Sequence, residues 1–330
     1  MWTFFATPRI KPMNAIVAKC TINALQAAAE NLRNGGLVAF PTETVYGIGA
    51  DASNAEATKR MYLVKNRPAD HPVIVHIADL NDVDYWAQDI SDYAITLMRD
   101  FWPGPMTLLL QRTSNVKDFI TGSQDVVGIR IPANTIALNL LTEFRKLGGR
   151  GIAAPSANRY GAVSPTTANA VIAELQDYLE PRDQILDGGS CAVGIESTII
   201  DCTKSNPAIL RHGAITAEMI EVSTGIVIAD PSSETIRVSG SDKKHYAPNA
   251  KVHINTVPQP GHGLIALAEV ETPTGVIRLA TPKSIEEYAR IFYAALRDAD
   301  LKNLKNISVV PPAGDGLAVA IRDRISRAAA

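Results

Sequence analysis

The sequence predicts an α/β protein built in two units. The chain has 330 residues, more than one core usually organises. Short apolar runs of strand length alternate with stretches of helical periodicity along most of it. Residues 223–250 break that alternation with clusters of serine, glycine, proline and lysine, and read as a linker between a larger and a smaller unit.

Composition narrows the class. Hydrophobic residues make up 46% and charged residues 20% of the chain, enough to bury a real core, and the formal net charge is −2. That balance argues against a surface coated for nonspecific nucleic-acid binding. Cys20, Cys191 and Cys202 lack metal-ligand spacing and read as reduced thiols in a cytosol. No apolar run reaches membrane-spanning length, and residues 1–12 lack the apolar core of a signal peptide, with Met13 as an alternative start. A cytoplasmic protein is expected.

Taken in order, Thr21 is placed to cap a helix that Asn34, Gly35 and Gly36 stop. The run from Gly36 to Phe40 is a buried strand ending at Pro41, which cannot donate to a central ladder. Thr42, Glu43, Thr44 and Tyr46 then crowd polar groups at the strand end, and Gly47 and Gly49 permit tight turns or close approach of a ligand. This stretch suits a small-molecule site and a plain strand-to-loop exit equally. A helix over 54–65 is stopped by Pro68. Strand 72–77, a helix around 91–100, a rigid turn at 101–105 and strands 106–111 and 126–131 follow. Residues 135–146 are amphipathic, with Ile136, Leu140 and Phe144 at spacing four.

The small-residue strand 151–154 empties into a polar loop. Ser164 is placed to cap the next helix, with Pro165 at its first position and Val171, Leu175 and Leu179 as its buried stripe. Strands near 184–187, 197–202 and 207–211 and a helix over 216–221 complete the larger unit. The smaller unit has strands near 251–255, 263–268 and 275–280. A helix from Ser284 follows, with a capping box to Glu287 and a stripe of Tyr288, Ile291, Phe292 and Leu296. Strand 307–310 and a last helix from Leu317 close it.

The chain carries no Walker A loop, zinc-protease helix, nucleophile elbow or dinucleotide fingerprint. The glycines between Gly188 and Gly194 lack phosphate-loop spacing and read as a turn. What remains is polar residues at strand ends. Lys65 and Arg67 suit phosphates or a solvated helix end, the second being the commoner arrangement. His76, within an apolar strand, is more often a structural residue than a ligand. Arg130 points to the opposite face from Ile129 and Ile131, and either meets a carboxylate or snorkels to water. Ser156, Asn158 and Ser164 cluster before a helix start, which suits an anion as well as a cap. Ser197 and Arg211 lie on later strands. No nucleophilic triad is visible, which points to catalysis by positioning and electrostatics. From chemistry alone the reading is an α/β protein for a small anionic ligand such as a nucleotide.

Seven blocks occur in a fixed order: 41–52, 65–68, 102–107, 127–132, 154–158, 194–201 and 210–213. Together they resemble the YrdC-type threonylcarbamoyl-AMP synthases. His245-Tyr246-Ala247-Pro248 and the second unit resemble the long, two-domain form of that family. The resemblance implies a twisted open mixed sheet of the YrdC/RibB type over residues 1–222, a linker at 223–250 that folds over the pocket, and a small Rossmann-like unit at 251–330. It implies a nucleotidyltransferase that makes L-threonylcarbamoyladenylate from L-threonine, bicarbonate (or CO2) and ATP, releasing pyrophosphate. That is the first step of t6A modification of tRNA.

Carried over position by position, the L-threonine pocket is Thr44, His76, Arg130, the Ala154 backbone and Ser197. The nucleotide side is Arg67, His71, the backbone near Val126, Ser156, Asn158, Ser164, Arg211 and Tyr246. Lys65 and Arg67 would hold phosphates and offset charge as pyrophosphate leaves, and Tyr246 would help close the site. Mg2+ would arrive with ATP, with no metal held by the protein itself. Implied partners are the three substrates and a downstream threonylcarbamoyl-transfer machinery, with no membrane and no stable nucleic-acid contact. His71 stands where the family often has asparagine, and Asn134 where histidine is frequent. An RNA-binding module would require interleaved basic and aromatic residues, and a hydrogenase-maturation carbamoyltransferase would add zinc-finger cysteines.

Overall fold

A computed structural model describes residues 15–229, 236–240 and 245–330. The expectations for residues 1–13, 231–233 and 241–244 lie outside the described residues. The larger unit starts with β1 (Ile16–Lys19), α1 (Ile22–Arg33), β2 (Val38–Pro41), β3 (Tyr46–Asp51), α2 (Ala55–Lys65) and β4 (Ile74–His76). It continues through α3 (Val83–Trp86), β5 (Ala87–Gln88), α4 (Asp92–Phe101), β6 (Met106–Arg112), α5 (Asp118–Thr121), β7 (Val126–Arg130) and α6 (Thr135–Lys146). It closes with β8 (Ile152–Ala153), α7 (Ala168–Leu175), β9 (Gln184–Asp187), β10 (Thr198–Asp201), β11 (Ala208–Arg211) and α8 (Ala217–Thr224). The smaller unit holds β12 (Lys251–Ile254), β13 (Gly263–Ile265), β14 (Ile277–Ala280), α9 (Ile285–Leu301), β15 (Asn306–Val309) and α10 (Leu317–Ala328).

One mixed sheet crosses the larger unit in the order β1-β9-β2-β3-β8-β4-β7-β6-β10-β11, with β5 paired to β6. Alternation along β2 and the residue before it divides the core. Leu37 and Ala39 join the cluster that α2, α4, α7 and α8 cover, while Val38 and Phe40 join the one beneath α1 and α6. Helices therefore lie on both faces. The smaller sheet is parallel, in the order β12-β15-β13-β14. Its core is shared across the boundary, because Val45, Val163, Ile195 and Tyr246 pack with Tyr288, Phe292 and Ile321. Gly194 makes the approach possible: at φ +84°, a Cβ there would stand 2.4 Å from the Arg290 backbone on α9. Among the described residues, no helix is long and apolar enough to cross a membrane.

The caps at Thr21 and Ser284 form as the sequence predicts, each accepting from the backbone amide three residues on. Two expectations are corrected. Residues 46–51 are a strand and not the tight turn that the two glycines permit, although Gly47 does line the cleft described below. Gly49 is small because a Cβ would meet the Ile152 and Phe40 side chains at 2.6 and 2.9 Å. Ser164 does not cap a helix. Its hydroxyl is spent on Glu196 and the Pro165 carbonyl on the Tyr46 amide, so the helix starts later with Thr167 as cap. The short elements β1, α3, β5 and α5 carry too little periodicity to be marked in advance.

Candidate active site

The β2–β3 turn, the end of β4, the end of β7, the loop after β8 and the start of β10 converge on one cleft of about 620 Å³. Residues 239–240 and 245–246 close its far wall.

Its lining includes Thr44, His76, Arg130, Ala154 and Ser197. Arg130 is buried. It donates to Glu43 Oε1 at 2.6 Å, to the Thr44 hydroxyl at 2.9 Å and to the Gly104 carbonyl at 3.1 Å. The strand arginine thus meets a carboxylate and does not snorkel. Thr44 is further tied to Thr42, hydroxyl to hydroxyl at 2.8 Å. His76 comes beside Arg130 because β4 and β7 run parallel in register. Burial, and then the Arg130 charge, hold its pKa down at about 3, so the ring is neutral. Its Nδ1 is buried without a hydrogen-bond partner, as are Glu43 Oε2 and Asn158 Oδ1. In folded proteins such atoms are rare away from functional sites.

Three further cations line the same cleft, Lys65, Arg67 and Arg211. The Lys65 ammonium donates to the carbonyls of Ser156 and Asn158, both at 2.5 Å. Burial, and then the Arg67 charge, press its pKa well below the usual lysine range. Arg67 donates to the Pro72 carbonyl and the Ser239 hydroxyl, at 2.7 and 3.1 Å. Arg211 reaches the Ser197 carbonyl and hydroxyl, each at 3.0 Å, and the Ser239 carbonyl at 2.8 Å. Burial lowers its pKa. Tyr246, at φ +60°, is buried with its hydroxyl unpartnered and its pKa pushed up to about 12 by burial.

Three of the expected residues do not line the cleft wall. Ser164 sits behind it, 2.6 Å from Glu196. Val126 borders a neighbouring crevice with Gly128 and Val238. His71 packs edge-on against Tyr160, with ring centroids 5.4 Å apart. Sequence reasoning gave no role to Glu43, Thr107 or Glu196. Thr107 bonds Ser197 at 2.8 Å, and Glu196 lines the cleft. Glu43 and Glu196 were visible as acidic residues inside the motif blocks, which was the available signal.

Residues 30–213 match the Sua5/YciO/YrdC family model, described as "Telomere recombination", and residues 215–330 match "Threonylcarbamoyl-AMP synthase, C-terminal domain". The threonylcarbamoyl-AMP synthase of Pyrococcus abyssi is 38% identical over 324 residues, covering 92% of this chain and 93% of that protein. The Bacillus subtilis protein of the same name is 36% identical over 325 residues, covering 92% of each. A crystal structure of P. abyssi Sua5 complexed with L-threonine superposes with a TM-score of 0.85 at 36% identity, covering 96% of this chain and 97% of that one.

Proposed function

This chain belongs to the threonylcarbamoyl-AMP synthase family, and from that premise we propose that it makes L-threonylcarbamoyladenylate from L-threonine, bicarbonate (or CO2) and ATP, releasing pyrophosphate. The observation that carries the proposal is that one cleft gathers hydroxyls, a neutral histidine, a carboxylate-paired arginine and three further cations. The relative with L-threonine bound supports threonine as the amino acid.

In this reading the threonine amine combines with bicarbonate to give a carbamate and water. A carbamate oxygen then attacks the α-phosphorus of ATP, and pyrophosphate leaves. Arg130 and Thr44 orient threonine, and neutral His76 offers a ring nitrogen without adding charge. Lys65, Arg67 and Arg211 hold phosphates, and their charge offsets that developing on the leaving group. Among the described residues no three His, Cys, Asp or Glu side chains group as a metal site. In this reading Mg2+ would arrive with ATP, on its phosphate oxygens. Tyr246 closes over the nucleotide and keeps water from the labile carbamate and mixed anhydride.

The reading takes residues 1–222 as the catalytic unit, 223–250 as its cover and 251–330 as a supporting unit. The product would pass to a threonylcarbamoyl-transfer machinery acting on tRNA. The test is pyrophosphate release from ATP with bicarbonate, with and without L-threonine, and with L-serine as control. Release that depends on threonine supports the proposal; release indifferent to threonine, or none from folded protein with Mg2+, contradicts it.

A further inference from the structure

We propose that the small C-terminal unit is a working part of the cleft, in which Arg324 and Tyr293 are positioning residues that hold the Glu196 carboxylate and the Tyr246 ring in place. The inference rests on the function proposed above and assigns a role to a unit that the reaction does not otherwise need.

Glu196 lines the cleft, yet both its oxygens are committed. Oε1 accepts from the Ser164 hydroxyl at 2.6 Å. Oε2 accepts from the Tyr293 hydroxyl at 2.8 Å and from Arg324 Nε at 2.9 Å. Tyr293 lies on α9 and Arg324 on α10, so two helices of the small unit reach across the boundary to one carboxylate of the large one. Arg324 is wholly buried, and an arginine in that position costs stability unless its charge is matched. It meets Glu196, Asp323 at 2.6 Å and the His212 carbonyl at 2.9 Å. Its guanidinium also lies 5.4 Å from the centre of the Tyr246 ring. Tyr293 also stacks on Tyr246, with ring centroids 5.4 Å apart at 29°.

These contacts end on the nucleotide side of the proposed site. Ser164 is oriented through Glu196, Tyr246 is clamped by Tyr293 and Arg324, and Arg211 feels the Glu196 charge. An interface that served only to join two units would not need to bury a charge against the cleft wall. Arg324 and Arg211 are the cations facing Glu196, and Tyr246 and Tyr293 the other titratable groups. With Arg324 removed, the Glu196 carboxyl loses its nearest cation and titrates at higher pH.

The test measures threonine-dependent pyrophosphate release by the full-length chain and by Tyr293→Phe, Arg324→Met, Arg324→Lys and Glu196→Gln. Each is assayed across pH at a temperature where it is folded. Tyr293→Phe keeps the stacking and loses one bond to a charged group, so its kcat/KM for ATP should fall about tenfold and its Tm by a few degrees. Arg324→Met should fall further and gain an acid limb in its pH profile, and Arg324→Lys should recover part of the loss. Tyr293→Phe should cost less in the Glu196→Gln background, because the two act through one carboxylate. Folded variants with wild-type kcat, KM and pH profile would overturn the positioning role, whatever their Tm; if Arg324→Met does not fold, Tyr293→Phe alone decides. If the wild-type chain releases no pyrophosphate with threonine, the functional reading fails separately. ATP affinity by calorimetry then decides: weakened binding in Tyr293→Phe sustains the positioning role, and wild-type binding overturns it.

Discussion

Arg130 on β7 and Glu43 in the β2–β3 turn are paired at 2.6 Å, and both are buried. The arginine expected to receive the threonine carboxylate is therefore already neutralised by a protein carboxylate. In the proposed reading threonine would meet the remaining guanidinium N–H groups and Thr44, with Glu43 fixing the fork. Arg130→Ala should abolish threonine-dependent turnover. It should also destabilise the fold by roughly 3–5 kcal/mol, because it strands the Glu43 charge. Glu43→Gln should keep the fold better and raise KM for threonine more than KM for ATP. Steady-state kinetics with urea unfolding separate the two effects; normal threonine turnover in folded Arg130→Ala would remove that residue from the pocket.

Lys65 spans two backbone carbonyls, those of Ser156 and Asn158, from the end of α2. Lys65→Met keeps the bulk of the side chain and removes the charge. Pyrophosphate release should fall by about a hundredfold or more, as for loss of one electrostatic contact to a transition state. Threonine affinity, read by calorimetry, should change little.

Acid should destabilise this protein through two buried groups. The Glu196 pKa is held down to about 2, by Arg324 and then Arg211 against the opposing effect of burial. Its contribution is present above the unfolded carboxylate range and is lost as pH falls towards 2. His76 has its pKa lowered to about 3, so from pH 6.5 downward the unfolded chain binds a proton that the native chain refuses. Each group steepens the loss by at most about 1.4 kcal/mol per pH unit. Thermal melts from pH 7 to pH 4 should show Tm falling, with a shallower fall in His76→Gln. Equal slopes in the two proteins would mean that His76 is protonated in the native state.

Metal removal gives a further check. Chelation with EDTA should stop turnover while leaving Tm unchanged, and added Mg2+ should restore it, as expected for an ion carried by the nucleotide and not by the fold. A drop in Tm on chelation would point instead to a protein-held ion.

Much of this was legible in the sequence where local chemistry decides the outcome. The caps at Thr21 and Ser284, the amphipathic α6 and the buried stripe of α9 follow from side chains within a few residues of one another. His76, Arg130 and Arg211 were visible as polar residues at strand ends and Lys65 and Arg67 as cations at a helix end, and the fold brings these ends to one cleft. What the sequence hid depends on distant partners. Ser164 looks like a cap until Glu196, 32 residues on, claims its hydroxyl. Gly49 looks like loop chemistry until Ile152 packs against it. Arg324 reads as one more charge on a terminal helix until folding carries it 128 residues back in sequence to Glu196.

The central claim is that one cleft joins threonine, bicarbonate and the adenylate of ATP. It is tested most directly by mass spectrometry of the product made from L-threonine, ATP and 13C-labelled bicarbonate. The account predicts a threonylcarbamoyl adenylate heavier by one mass unit than that from unlabelled bicarbonate, absent when threonine is omitted. Pyrophosphate release with AMP and no labelled adduct, from folded protein with quenching fast enough to trap the anhydride, would contradict it.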